Sequence, residues 1–340
     1  MLATKMNANS TPQVSVIVLN YNGQKYVSEC IGSLLDTDYA NFEIIFVDNA
    51  STDDSVRVAK TFGSIEIVRM SENCGTLARN IGSSVAKGEY VAFLDVDTRV
   101  NKDWLKEALK TMETAPNAGA VQALIFHMDN DNVWCDAGFI DCYGRTFTKC
   151  SKAAHDHAYE ILYPTSAAMV IKKKALDLLG GFDPDFFVYY EDTDLGWRLR
   201  KCGYKTFLAP TSIVLHAVHG STRQMPNSII SFHEEKNRVM MLLKNFDNPF
   251  LFKYALPYAT LMFFFAVYCM LRGRIKGKIV MKGLLWNLVN FPKNMAKRSR
   301  LRLIQRCSDG ELIRLELLLH PYLFLRPVNR QKTMTVIPNK

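Results

Sequence analysis

The chain lacks the cysteine pattern of a disulfide scaffold. Its eight cysteines form no CxxC pair and no ladder of close spacings. That excludes a disulfide-stapled domain and reads as reduced thiols. Cys135, Cys142 and Cys150 lie near one another, but their spacings fit no zinc pattern. The opening stretch MLATKMNANSTPQ has no apolar h-region, so no secretory signal is expected. Internal repeats and low-complexity segments are also missing. No GxGxxG follows the first apolar run, which argues against a dinucleotide-dependent dehydrogenase. Asn20-Tyr21-Asn22-Gly23 stands there instead, and it is not the basic, Gly-rich loop of a nucleotidyltransferase either.

What is present is a chain of 340 residues, 48% hydrophobic and 22% charged, able to bury a substantial core. Charge is unevenly spread. Residues 272–340 hold 16 Lys+Arg against 3 Asp+Glu, a surplus of +13, so the first 271 residues carry −4 of the total +9. Only the tail is expected to meet a polyanion. Its basic residues are not interleaved with a nucleic-acid motif, so no nucleic acid is expected and a membrane surface is.

Short β-branched runs alternate with helix-length segments. VSVIVL (Val14–Leu19), FEIIFV (Phe42–Val47), IEIVRM (Ile65–Met70) and YVAFL (Tyr90–Leu94) read as strands. Lys25–Leu35, Asp53–Phe62 and Leu77–Ala86 read as crossover helices. The alternation predicts an α/β fold with a mostly parallel, Rossmann-like sheet flanked by helices. Between Gly119 and Thr148 the helical period is lost and short strands, loops and a hairpin are expected. Ser166–Ile171 reads as a strand, Lys173–Leu179 as a helix, and Glu191–Cys202 as a helix ended by Gly203. Its face of Leu195, Leu199 and Cys202 is expected to be buried. Two short strands, Thr206–Ala209 and Ser212–Leu215, follow. From about residue 225 onward the pattern is wholly helical.

Ligands of parallel α/β sheets sit beyond the carboxyl ends of the strands. Asp48, Asn73, Arg79, Asp95 and Asp97 all follow strand ends. In Asp95-Val96-Asp97, two carboxylates at i and i+2 of extended chain point one way. Hard oxygens so placed suit Mg²⁺ or Mn²⁺. Asp-x-Asp alone is also a common solvated turn; its position after a buried strand favours the metal. Ser51 and Asp54 have the spacing of a capping box, which leaves Asp48 free to accept from a ligand N–H. Glu191, Asp192 and Asp194 open a helix, whose dipole favours the ionised form a general base needs. Asp194 has Arg198 at i+4 as a structural partner. His216, one step past a strand, is a candidate third metal ligand, and His219 a weaker one.

VSVIVLNYNG, FEIIFVDNASTDDS, ENCGTLARNIG, GEYVAFLDVD, GGFDPDFFVYYEDTDLGWRLRKCGY and HAVHGST occur in this order over about residues 13–223. Together they resemble the inverting GT-A glycosyltransferases, in particular the rhamnosyltransferase- and galactofuranosyltransferase-like branch. The resemblance implies a catalytic domain at 13–225, behind an N-terminal tail of 1–12. It would divide into a nucleotide-sugar half (13–100) and an acceptor half (101–225). Tyr21 and Asp48 would meet the nucleotide base, Asp48 at a pyrimidine N3–H, as in a UDP- or dTDP-linked donor. Asn73 and Arg79 would lie by base, ribose or phosphates, and Asp95 by the ribose or sugar. Asp97 and His216 would hold the metal, and Asp192 would be the base. Glu191, Asp194 and Trp197 would bind acceptor or support the site. Leu19 stands where the family often has Thr or Pro. The rival reading is a non-catalytic nucleotide-binding module at a membrane; the intact acids argue against it.

Region 226–340 is expected to be a helical, basic, membrane-associated tail. Ala255–Leu271 is uncharged for 17 residues, slightly short of a span, and contains Pro257. A spanning helix, an interfacial or re-entrant one and a buried core helix all fit it. Residues after Arg272 fit an anionic cytoplasmic leaflet. The expectation is a peripheral or single-span enzyme on the cytoplasmic side, acting on a glycan or lipid-linked acceptor. A homo-oligomer is compatible with the sequence.

Overall fold

The computed structural model describes residues 13–129, 132–135, 137–149, 157–217 and 225–319. The 1–12 tail, Cys150, His219 and the basic residues beyond 319 lie outside the described residues.

The first half alternates as predicted: β1 (Val14–Asn20), α1 (Gln24–Leu35), β2 (Phe42–Asp48), α2 (Ser55–Ala59), β3 (Glu66–Arg69), α3 (Leu77–Val85) and β4 (Tyr90–Asp95). These four strands are parallel, with β1 between β2 and β4. Alternate β1 residues serve two cores. Val16 and Val18 pack with Val27 and Ile31 of α1, while Ile17 packs with Ala78 of α3. β3 is shorter than the run suggests and partly exposed, because it is an edge strand with one neighbour.

β5 (Thr98–Val100) follows a two-residue turn, and α4 (Trp104–Thr114) leads to β6 (Ala118–His127). β6 is one ten-residue strand, longer than the short strands expected from Gly119 onward. Gly119 lies in it because a Cβ there would meet the Tyr204 side chain at 2.7 Å. Next come β7 (Val133–Cys135), β8 (Ala137–Asp141) and β9 (Thr146–Lys149); β8 and β9 form the expected hairpin. β10 (Tyr159–Ile161), β11 (Ala168–Lys172), α5 (Lys173–Leu178) and α6 (Glu191–Lys201) precede β12 (Lys205–His216). β12 replaces the two predicted strands with one. Its register shifts between Ala209 and Ile213, a bulge that accommodates Pro210, which has no N–H for the ladder.

The sheet order is β10-β12-β6-β11-β4-β1-β2-β3. β11 runs antiparallel to both β4 and β6, so the sheet is mixed rather than mostly parallel.

The C-terminal part is helical, as predicted: α7 (Asn227–Asn245), α8 (Asn248–Phe250), a π-turn at Leu251–Ala255, α9 (Leu256–Leu271), α10 (Ile275–Val289), α11 (Phe291–Ile304) and α12 (Asp309–Arg314). β13 (Leu318–Leu319) then pairs with β8. One core joins Leu162 and Trp197 to Met240, Phe246, Leu312 and Leu318, so this region is built into the fold rather than trailing from it.

A buried charge cluster fastens α6 to α7. Lys244 Nζ bonds Asp183 and lies 2.9 Å from Asp194, whose second oxygen accepts from Arg198 Nε at 2.7 Å. Lys297 of α11 adds a contact to Asp183 at 2.5 Å. Burial by itself would raise both carboxyls. The charge of Lys244, with Lys297 at Asp183 and Arg198 at Asp194, instead holds them below the ordinary range. Acids depressed in the folded state stabilise it above the unfolded pKa, and that contribution fades as pH falls through the folded value. Lys244→Met should therefore cost about 3 kcal/mol at neutral pH, since it leaves two buried carboxylates short of a partner. Urea titrations at pH 7 and about pH 3 check this; the cost should shrink at the lower pH.

Candidate active site

The strand ends β1, β2 and β4 open on a cleft of 1570 Å³. Its floor is tied together by amides. Asn20 Nδ2 donates to Asp48 Oδ1 and to Ser51 Oγ, each at 2.9 Å. Thr52 N donates to Asn22 Oδ1 at 2.8 Å. Asn22 and Ala50 take positive φ (49° and 62°), which lets the two strand-end loops interlock. Asn49 Nδ2 donates to Asn73 Oδ1 at 2.9 Å and brings the third loop alongside. Gly75 is required there: its φ is +57° and a Cβ would lie 2.1 Å from the Phe187 carbonyl.

β4 ends at Asp95, and Asp97 sits in the turn before β5 rather than in extended chain. The turn, not the two-residue strand period, brings the carboxylates together. β5 pairs with β12 so that Thr98 faces His216. That register places His216 Nε2 3.1 Å from Asp97 Oδ1. One ligand atom from each of Asp95, Asp97 and His216 lies within 4.8 Å of the others. Two hard carboxylates and one imidazole are a donor set that fits a divalent cation. Burial would lower the His216 pKa, but its bond to Asp97 and the charges of Asp97 and Asp95 move it upward.

Arg79 of α3 is buried and links this cluster to α6. Its Nη2 lies 2.6 Å from Asp95 Oδ1 and its Nη1 3.8 Å from Glu191 Oε1. Glu191 and Asp192 begin α6 immediately after Tyr189 and Tyr190, both at positive φ (64° and 69°). Two consecutive bulky residues in the left-handed region are a strained entry, of the kind held at functional sites. Tyr190 OH accepts from Arg238 Nε at 2.9 Å, which pins the turn to α7. Asp192 Oδ1 accepts from Thr193 N at 2.7 Å. The helix start was expected to favour ionised acids, yet burial dominates. It raises Asp192 against the opposing pull of the Thr193 amide and Arg79, and with Asp192 it pushes Glu191 up to about 8.

Tyr21, Asn73, Arg79, Asp95, Asp97, Glu191, Asp192 and His216 thus line one cleft. Three other site residues do not. Asp48 is fully buried behind the wall, bonded to Asn20 and, at 3.3 Å, to Ser51 N. It is not the free carboxylate expected, because the Ser51–Asp54 capping box does not form. Ser51 instead serves Asn20 and Asn22, and Asp53 accepts from Ser55 N at 3.0 Å. Asp194 points inward to the Lys244 cluster, away from the cleft. Trp197 is fully buried, its Nε1 3.1 Å from Asp309 Oδ1, so it cannot meet an acceptor. Sequence reasoning missed the far wall: Phe187, Tyr189, Arg145, His233, Glu234 and Arg238. The aromatic run FFVYY was a usable signal; α7 gave none, since it read as the start of the tail.

The Glycosyl transferase family 2 model matches residues 15–180. A putative teichuronic acid biosynthesis glycosyltransferase, TuaG of Bacillus subtilis, is 38% identical over 109 residues. That stretch covers 31% of this chain and 43% of TuaG. GalNAc-T7, crystallised with UDP, GalNAc and Mn²⁺, superposes with a TM-score of 0.56 at 18% identity, covering 71% of this chain and 49% of that one. A Pyrobaculum calidifontis mannosyltransferase, PcManGT, in complex with GDP-Man and Mn²⁺, gives 0.51 at 20% identity, with coverage of 87% and 86%. The likenesses to solved structures establish a GT-A-like fold. Asp192 and His216 lie beyond the matched family segment, so their parts rest on the geometry. Over residues 15–180, just under half of its length, the chain is thus similar to the Glycosyl transferase family 2 model.

Proposed function

We propose that the protein is a metal-assisted, inverting glycosyltransferase using a nucleoside-diphosphate sugar, of the kind that the sequence resemblance to rhamnosyl- and galactofuranosyl-transferring enzymes implies. The single observation that carries this is one cleft holding both the Asp95–Asp97–His216 donor set and the raised Asp192 carboxyl. The UDP, GalNAc and Mn²⁺ of the GalNAc-T7 structure and the GDP-Man and Mn²⁺ of the mannosyltransferase structure are consistent with a nucleotide-sugar donor and a divalent metal.

Tyr21 and Asn73 line the end of the cleft formed by the β1 and β3 loops, where the base and ribose would lie. Asp48 holds that loop pair rather than touching the base. Asp97 and His216, joined by Asp95, would hold Mn²⁺ or Mg²⁺, the imidazole favouring Mn²⁺. Such an ion supplies neutralisation of the charge that builds on the departing diphosphate. Arg79 keeps Asp95 in place. Asp192 takes the proton of the acceptor hydroxyl as its oxygen bonds the anomeric carbon and the carbon–phosphate-oxygen bond opens on the opposite face. The configuration inverts in that single displacement. The acceptor is a glycan or lipid-linked hydroxyl presented near the cytoplasmic face of a membrane.

A screen of nucleotide sugars for Mn²⁺-dependent turnover tests the reading, and no turnover of any donor would end it. The pH profile adds a second check. A base works only when deprotonated, and burial raises Asp192, so kcat/KM should climb with pH at values above those of an ordinary carboxylate. Because Glu191 shares the charge, the limb belongs to the pair. A limb near pH 4 would be the wrong outcome.

A further inference from the structure

We propose that α9 and α10 form a hairpin lying in the plane of an anionic bilayer, seated in one leaflet without crossing the membrane. This deepens the membrane part of the function proposed above.

The helix Asn248–Leu271 has 24 residues, a mean hydropathy of 1.6 and only 28% of its apolar window buried. The π-turn joins α8 to α9, so the helix is longer than the uncharged 17-residue run. At about 1.5 Å per residue it is long enough to cross a bilayer. Its inner stripe, Tyr258, Ala266 and Cys269, is buried against the protein. Its outer side is apolar and bare: Phe264 is 64% exposed and Leu271 82%. α10 continues that surface with Leu288 and Val289, 70% and 78% exposed. Apolar area of this extent calls for a cover.

Topology rules out a single span. α10 turns back at Gly273 (φ +67°) and packs on α9, where a Cβ on Gly277 would lie 2.6 Å from the Ala266 carbonyl. Asn287 Nδ2 then donates to the Lys236 carbonyl of α7 at 2.9 Å. Further on, Lys297 meets Asp183 and Asp309 meets Trp197, so the chain after the hairpin is seated on the catalytic domain. Both ends of the hairpin are on the same side. A hairpin that dips inward is excluded by its tip, which carries Arg272, Arg274, Lys276 and Lys278. A two-way crossing is excluded by α10: its 15 residues reach about 22 Å, short of the hydrocarbon thickness.

Lying flat, the hairpin sinks its apolar side while its cations stay among headgroups. Charge names the occupant. Residues 248–308 contain no Asp or Glu, so two copies of this face would repel, whereas anionic lipid complements it. α7 carries His233, Glu234 and Arg238 on the cleft wall and Lys236 under α10, so the acceptor side of the cleft opens beside the bilayer.

Flotation of the full chain with phosphatidylcholine vesicles, with and without phosphatidylglycerol, tests this. Binding should need phosphatidylglycerol and weaken in high salt. The exposed pair L271E/V289E should keep the wild-type Tm and lose binding at least about tenfold. In vesicle-bound R274C, an impermeant maleimide added outside should label the tip above the wild-type background. Protection of that cysteine, absence of binding to either vesicle, or self-association abolished by L271E/V289E would each overturn the proposal. Nucleotide-sugar turnover is measured on the same samples. An inactive protein that still binds vesicles supports the hairpin and counts only against the enzymatic reading.

Discussion

Asp192→Asn lowers glycosyl transfer by about 10²- to 10⁴-fold while donor affinity stays near that of wild type. The substitution keeps the shape of the side chain. An Asn Oδ1 can still accept from Thr193 N, the bond that Asp192 makes at 2.7 Å, so the start of α6 is undisturbed. What is lost is the site for the acceptor's proton. Glu191 does not replace it: it lies in the cleft wall almost wholly buried, with its Oε1 turned to Arg79. Removing the Asp192 charge also removes one of the causes that raise Glu191, so that residue should ionise at lower pH in the variant. Asp194→Asn makes the control. Asp194 is locked between Lys244, Arg198 and Asn245, so its loss should appear in thermal stability before it appears in chemistry. Calorimetry for donor binding and a product assay separate the two. Full transfer by Asp192→Asn would show that another residue is the base.

The first half of the fold was legible because buried parallel strands are continuous β-branched runs and nothing in them competes with that reading. β6 and β12 were not. β6 runs longer than the short strands expected there, and in β12 Pro210 carries the local signal of a break that pairing on either side of it bridges through a bulge. The cleft residues Tyr21, Asn73, Asp95 and Asp97 lie at or just beyond strand ends and are legible from position alone. Whether such a residue faces the cleft or the interior is decided by partners far along the chain. Asp48 is claimed by Asn20, Asp194 by Lys244, and Trp197 by Asp309, at separations of 28, 50 and 112 residues. His216 was legible as a ligand only by order; its register with Thr98 is what delivers it to Asp97.

Asp97→Ala should abolish nearly all metal-dependent turnover, by about 10²- to 10⁴-fold, which corresponds to several kcal/mol of charge stabilisation. The fold should survive. The side chain makes the 3.1 Å contact to His216, whose loss costs about 1 kcal/mol. The backbone carbonyl of residue 97, which accepts from Ala217 N at 2.9 Å, is kept by any substitution. Asp95→Ala is a less clean probe, because it also strips Arg79, a buried guanidinium, of its closest carboxylate. The comparison of the two variants is therefore informative: Asp97→Ala should lose activity with little change in Tm, and Asp95→Ala should lose both. Binding of Mn²⁺ itself, followed by the free-ion paramagnetic resonance signal, gives a readout independent of turnover. Wild type should take up the ion, more tightly with nucleoside diphosphate present, and Asp97→Ala and His216→Ala should not. Wild-type turnover that persists in EDTA would remove the metal from the mechanism and leave the Asp97–His216 pair as a purely structural hydrogen bond.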